Sequence, residues 1–366
     1  MRSMAIDRRT FLAATTALIA PRAARATTDS VSARYISAAA TLNGRYTCVL
    51  VGETGEILAG MDLAARGHGL AVRPNGADVM CFARRPGAFA MVLDRESGDV
   101  VTEIAAATGR HFSGHGVYVD SGALLLATEN DEALHQGAIG VYDARDGYAR
   151  LGEFPTHGIG PHDLALLPDA TTLVVANGGI DKRHDDTGGV DPADIRSDLA
   201  YLDWRSGRLL DRVALEFPRL SIRHLALTAS GDVAAALQDS AETPDLDWPL
   251  GFVHRLGAAP RWLETPQGGW ARFRGYCGAA GVDSGQGLIA MSSPRGNCVA
   301  LWDESGAAVE TLEVHDGCGL SDTSTPGQLL VSSGGGELFT IAGGKPDPTP
   351  LNAASGYRFD NHIKRI

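Results

Sequence analysis

Seven short phrases in this chain each begin with an imidazole or a thiol and run directly into strand-like residues. They open at His68 (His-Gly-Leu-Ala-Val), His115 (His-Gly-Val-Tyr-Val), His162 (His-Asp-Leu-Ala-Leu), His224 (His-Leu-Ala-Leu), Cys277 (Cys-Gly-Ala-Ala-Gly), Cys318 (Cys-Gly-Leu-Ser-Asp) and His362 (His-Ile-Lys-Arg-Ile). Five of the eleven histidines and two of the five cysteines fall at this position, and no acidic or aliphatic residue interrupts the set. Neutral imidazole and thiolate favour copper, iron or zinc over calcium and magnesium. A set of this kind on rigid strands is what a transition-metal site requires.

The spacing says what positions these residues. The steps between phrases are 47, 47, 62, 53, 41 and 44 residues. Short strands repeating with a period in the forties are the signature of propeller blades. A second feature keeps the same step: an apolar pair, an Asp and a Gly turn, as in Val92-Leu93-Asp94 to Gly98 and Val141-Tyr142-Asp143 to Gly147. There Asp bonds its own turn amides and Gly takes the positive-φ position. Six complete units begin at residues 68, 115, 162, 224, 277 and 318. Three N-terminal strands, within 34–65 and hinged at Asn43-Gly44, then join one C-terminal strand, 362–366, in a seventh blade. The expected fold is all-β: a seven-bladed propeller of four antiparallel strands per blade, whose last blade is closed by both chain ends. Such closure leaves no open sheet edge. If the units are equivalent, the seven opening residues form a circle at the mouth of the central channel.

The loops between second and third strands return to that mouth. They supply Arg84, Arg85, Glu129, Asn130, Asn177, Asp239 and Arg295, candidates for orienting the imidazoles or for holding an anionic ligand. Two long insertions, 178–198 with His184, Asp185 and Asp186, and 239–251 with Trp248, fall on the same face and are candidates for capping it. The competing reading of the circle is structural. In WD-repeat propellers a Gly-His pair precedes the inner strand and its His bonds an Asp; Gly67-His68 and Gly114-His115 look like that pair. Against it, the WD dipeptide is missing and Cys replaces His twice.

The bulk numbers narrow the field. A formal net charge of -12 argues against binding nucleic acid through its phosphates. No apolar run is long enough for a transmembrane helix. Arg8-Arg9-Thr10-Phe11-Leu12, an apolar stretch to Ala20 and Ala24-Arg25-Ala26 read as a twin-arginine signal peptide over residues 1–26. The mature chain, 27–366, would then be a single domain in the periplasm. An odd number of cysteines leaves at least one thiol unpaired. Cys48, Cys81 and Cys298 read as buried thiols, while Cys277 and Cys318 are ligands, free thiols or a disulfide.

With the twin-arginine leader, the Gly-Ile-Gly-Pro-His-Asp-Leu phrase at 158–164 and the Asn-His-Ile-Lys ending, the whole chain resembles an exported bacterial β-propeller family of unknown function. Members of that family are often encoded beside imelysin-like iron-regulated proteins and di-haem, thiol-oxidoreductase-like proteins. The resemblance implies a periplasmic role connected with iron or copper and supplies no catalytic residue. The ring is similar in position and ligand type to the nitrous oxide reductase propeller, though this chain lacks that enzyme's cupredoxin domain. Pro161-His162 looks like lactonase-type propellers, a likeness of fold alone.

The leading expectation is a monomeric periplasmic binding protein. It would hold copper or iron (zinc is also compatible), or a metal complex, at the His/Cys ring during uptake, beside other periplasmic metal-uptake proteins. The alternatives are a metal-dependent oxidoreductase or hydrolase at the same site, and an interaction scaffold whose ring is structural. No GxSxG, HExxH or CxxCH phrase is present.

Overall fold

The computed structural model describes residues 34–74, 76–180, 191, 194–283, 285, 287–345, 347–351 and 356–366. The signal-peptide stretch, His184, Asp185 and Asp186 lie outside them.

Seven four-stranded antiparallel sheets follow one another in a ring. Six are consecutive in sequence, and their first strands are Gly67–Val72, Arg110–Val119, Pro161–Leu166, Leu220–Leu227, Ala279–Val282 and Gly317–Asp322. We number these blades 1 to 6. The seventh is built from Tyr357–Arg365 paired to Tyr35–Thr41, then Tyr46–Val51 and Ile57–Leu63. First strands touch first strands around the whole circle, the C-terminal strand lying between those of blades 6 and 1. The expected architecture therefore holds, including the blade shared by the two chain ends. In blade 2 the inner strand begins earlier than its phrase, at Arg110, because Phe112 also bridges to Gly87 of blade 1.

The sequence pattern changes with distance from the axis. Second strands are covered on both faces, so Thr172–Asn177 is buried throughout and reads as a nearly continuous apolar run. Outermost strands such as Ala149–Pro155 and Arg208–Ala214 alternate exposed and half-buried residues, because one face meets solvent. The core lies between blades rather than within them. Met80, Phe82, Phe112 and Leu125 join blades 1 and 2. Val49, Val51, Phe359 and Ile363 join blade 7 to Leu330 and Leu338 of blade 6. Ile36, Cys48 and Leu50 join it to Leu70 and Cys81 of blade 1. The closing blade is thus packed on both sides. Among the described residues no helix is long and apolar enough to cross a membrane.

Because Phe359 is 4 % exposed and fills the seam, Phe359→Ala should cost about 3–5 kcal/mol in urea unfolding. Leu42→Ala, at a site 67 % exposed in the hairpin of the same blade, should stay within about 0.5 kcal/mol. Equal effects would mean that the last strand does not close the ring.

Candidate metal centre

The inner strands do not run evenly into the mouth. In six of the seven, the pairing with the second strand skips at or beside the phrase's opening residue. His68 and Gly69 face a gap between the pairs Gly67–Ala83 and Leu70–Cys81, and His162 a gap between Pro161–Asn177 and Asp163–Ala176. Such bulges re-aim a side chain that a regular pleat would send into the blade interface. Small residues let the strands close up. A Cβ on Gly69 would run into the Gly114 carbonyl and the His115 ring.

Five imidazoles converge as a result. Nine pairs among His68, His115, His162, His224 and His362 have ring centres 4.6–6.1 Å apart. Two triads have donor atoms all within 4.8 Å of one another: His68, His115 and His162, and His115, His224 and His362. The set is two-tiered. Val72, Val119, Leu166, Leu227, Val282, Asp322 and Arg365 end the paired stretches of the inner strands. Counted back from them, His68, His115, His162 and Cys318 stand four residues before the end, His224 and His362 three, and Cys277 five. The four-residue step is completed by Arg223, Gly278 and Asn361.

Two carboxylates orient the ring. His68 Nδ1 lies 3.1 Å from Asp360 of blade 7, and His115 Nδ1 lies 3.1 Å from Asp163 of blade 3. Asp360 is also held by Arg66, and Asp163 by the Leu225 amide at 2.9 Å. Each imidazole donates from Nδ1 to its carboxylate, which leaves Nε2 as the nitrogen available to a ligand. This is the His–Asp bond that the structural reading anticipated, but it satisfies only one side of each ring. His68 Nε2, His115 Nε2, both nitrogens of His162, His224 Nδ1 and His362 Nε2 are buried without a hydrogen-bond partner among the described residues.

Burial dominates the electrostatics. It lowers the pKa of His68 to about 4, against the partial restoring effect of Asp360. It holds His162, His224 and His362 well below the usual imidazole range, helped by neighbouring arginines and histidines. Asp360 stays ionised far below the usual carboxylate range: burial would raise it, but bonding to His68 and the charge of Arg66 prevail. His68, His162, His224 and His362 are therefore neutral donors gathered about one point.

Neither cysteine joins it. Cys277, one step early in the strand, turns into the apolar core beside Phe273 and Met291, and its thiol faces the Leu250 carbonyl at 3.5 Å. Cys318 holds the same step as His68, but its thiol donates back to the Asp316 carbonyl at 3.1 Å. Burial pushes both thiols far up, away from the thiolate that binds metal. All five cysteines are free, so no Cys277–Cys318 bridge is formed.

The loop candidates divide. Glu129 is fully buried and bonds Tyr142 and Arg150 within blade 2. Asn130 bonds Ser113, Asn177 bonds Asp198 and the Thr156 carbonyl, and Asp239 binds Arg219 and the amides of Ala241 and Asp245. Those four groups are engaged in local structure. Arg84 and Arg85 act electrostatically on His68 and His162, and Arg295 stacks on Tyr276, 4.8 Å from its centre, while Asn361 donates to the Tyr276 hydroxyl. Trp248 stacks under Arg219. Sequence reasoning missed Asp163, Asp360, Arg66, Arg223 and Tyr276. The signal for the first was present, since Asp163 follows His162 directly.

A cavity of 380 Å³ continues the channel beyond the ring, lined by His115, His224, His362, Asp163, Asp322 and Lys364. Residues 61–366 match a family described as "Protein of unknown function (DUF1513)". No curated protein matches the chain.

The buried imidazoles link stability to pH. Between pH 6.5 and about 4 the unfolded chain binds protons that folded His68 refuses, so the metal-free protein should lose stability as pH falls through that window. The loss is about 3 kcal/mol for His68 alone by pH 4, and the other three add to it. Urea midpoints that stay flat from pH 7 to 4 would contradict neutral, buried imidazoles.

Proposed function

We propose, for a chain that belongs to this family of propellers of unknown function, that the five-histidine ring binds a single transition-metal ion. The observation that carries the reading is the convergence of buried nitrogens with no hydrogen-bond partner. Lone pairs held face to face in a buried site are costly, and a single cation can relieve several of them at once. The separations suit coordination. A metal–nitrogen bond of about 2.1 Å puts each imidazole centre about 3.3 Å from the ion, so ligands roughly 90–140° apart have centres roughly 4.6–6.1 Å apart. The nine ring pairs span 4.6–6.1 Å.

His115 belongs to both triads, yet its Nδ1 is engaged by Asp163. It has one nitrogen to give, which supports one ion rather than two. An all-nitrogen donor set suits the borderline divalent ions of copper, iron and zinc, and with both thiols turned away it does not select for cuprous ion. Asp163 and Asp360 would act as the outer carboxylates that fix the tautomer of a ligating histidine. The role that fits is metal binding in the periplasm during uptake, if the N-terminal stretch exports the chain as its Arg8-Arg9 pattern reads.

The cavity below the ring favours one further reading. Three of the histidines face it together with Lys364, so an ion there would have an approach for an outside ligand, as a metal-dependent oxidoreductase or hydrolase requires.

Protein stripped with chelator and titrated with copper(II), iron(II) and zinc(II) should take up one equivalent of at least one of them. His115→Ala should abolish uptake, and Asp163→Asn should weaken it about 10–100-fold. Cys277→Ser and Cys318→Ser should leave it unchanged. Absence of stoichiometric uptake for all three metals would end the proposal. A bound ion that cycles between oxidation states would favour the oxidoreductase over the carrier.

A further inference from the structure

Several arginines of this acidic protein are paired with carboxylates. Arg66 meets Asp360, Arg73 meets Asp78, Arg110 meets Asp131 and Glu153, Arg150 meets Glu129, and Arg219 meets Asp239. Three arginines beside the histidine ring differ from these. Among the described residues Arg84, Arg85 and Arg223 form no ion pair. The best contact that Arg85 makes is a long 3.5 Å approach to the Ile180 carbonyl. Arg223 Nη1 is buried with no partner.

Their placement is not accidental to the ring. Arg223 occupies in blade 4 the register step that His68, His115 and His162 hold in blades 1 to 3, within the bulge between Ile222 and His224. Arg84 and Arg85 follow the second strand of blade 1, which ends at Ala83. The three charges feel one another. Burial, then the nearby charges of Arg223 and Arg84, oppose the charge on the Arg85 guanidinium. Tyr276 closes the group, beside Arg223 and under Arg295. Gathering cations in a partly desolvated mouth is costly unless an anion completes the set.

We propose that Arg84, Arg85 and Arg223 form a binding site for a small, multiply charged oxyanion that caps the histidine ring. Resting on the metal reading above, this makes the natural cargo an anionic metal complex rather than a bare ion. The guanidinium fork recognises carboxylate and phosphate oxygens alike, in pairs of parallel hydrogen bonds. A ligand reaching from these forks toward His162 would bring its own oxygens to an ion held there.

The test is calorimetric titration of the chelator-stripped full chain with citrate and, separately, with inorganic phosphate. One of the two should bind saturably near one equivalent, and more weakly as salt rises. Arg223→Gln and Arg84→Gln should each weaken that binding about tenfold or more. Arg84 is exposed, so its variant keeps the question open to measurement even if Arg223→Gln fails to fold. Tighter citrate binding assigns the carboxylate source, and tighter phosphate binding the phosphate source. No saturable binding of either at millimolar concentration, or binding unchanged in both variants, overturns the inference. Metal titration without anion reads the histidines alone, and anion titration without metal reads the arginines alone, so either reading can fail without the other.

Discussion

The molecule depends on a conflict among lone pairs. Five imidazoles are pressed together with their inward nitrogens buried, and the described residues offer those nitrogens no hydrogen-bond partner. A buried acceptor without a partner costs on the order of 1–3 kcal/mol, and here several face the same point. Protonation would relieve the conflict by making charge, but burial opposes it at His68, His162, His224 and His362. On the proposed reading, a cation with nitrogen affinity would meet several of these lone pairs at once.

The rest of the fold holds this conflict in place. Each imidazole comes from a different blade, so the ring exists only when the blades stand in a closed circle. That circle is fastened at blade 7, where Tyr357–Arg365 meets Tyr35–Thr41. The same C-terminal strand carries His362 as a ring member and Asp360 as the orienter of His68. Closure of the fold and completion of the site are therefore one event. Asp163 works similarly across blades 2, 3 and 4: it sits on the blade 3 strand, orients His115 of blade 2 and caps the Leu225 amide of blade 4.

The architecture was legible in the sequence because period and turn chemistry are both local signals. The 47-residue steps, the Asp-to-Gly turns and the Asn43-Gly44 hairpin each declare themselves within a few residues. The ring was legible in outline, since its five histidines were all marked by the same phrase. The two cysteines were marked by that phrase too, and the structure turns both thiols elsewhere. For Cys277 the reason is register. Blade 5, alone of the seven, has no bulge in its inner pairing to re-aim a side chain as at His224 and His362, so there one step leaves the thiol in the blade interface. The clue was in the count to the strand's end, where Val282 stands five residues on and not four. For Cys318 the register was right, and the short side chain instead reached its own backbone neighbour at Asp316. Glu129, Asn130, Asn177 and Asp239 were placed at the mouth by loop topology, which says where a residue begins but not which way its side chain leaves.

The same register count explains why imidazole and guanidinium stand together. Blade 4 carries Arg223 at the step where blades 1 to 3 carry histidine, and its own His224 one step further on. That displacement moves one imidazole to the lower tier, with His362, and puts a fixed positive charge in the upper tier. A neutral ring would draw in a bare cation with no opposition. Arg84, Arg85 and Arg223 at the rim oppose its entry without forbidding it, since no carboxylate among the described residues pairs with the three. The outer carboxylates, Asp163 and Asp360, are already committed to His115 and His68. On the proposed reading, donors that favour a cation behind charges that oppose one are reconciled when the cation arrives with negative charge of its own.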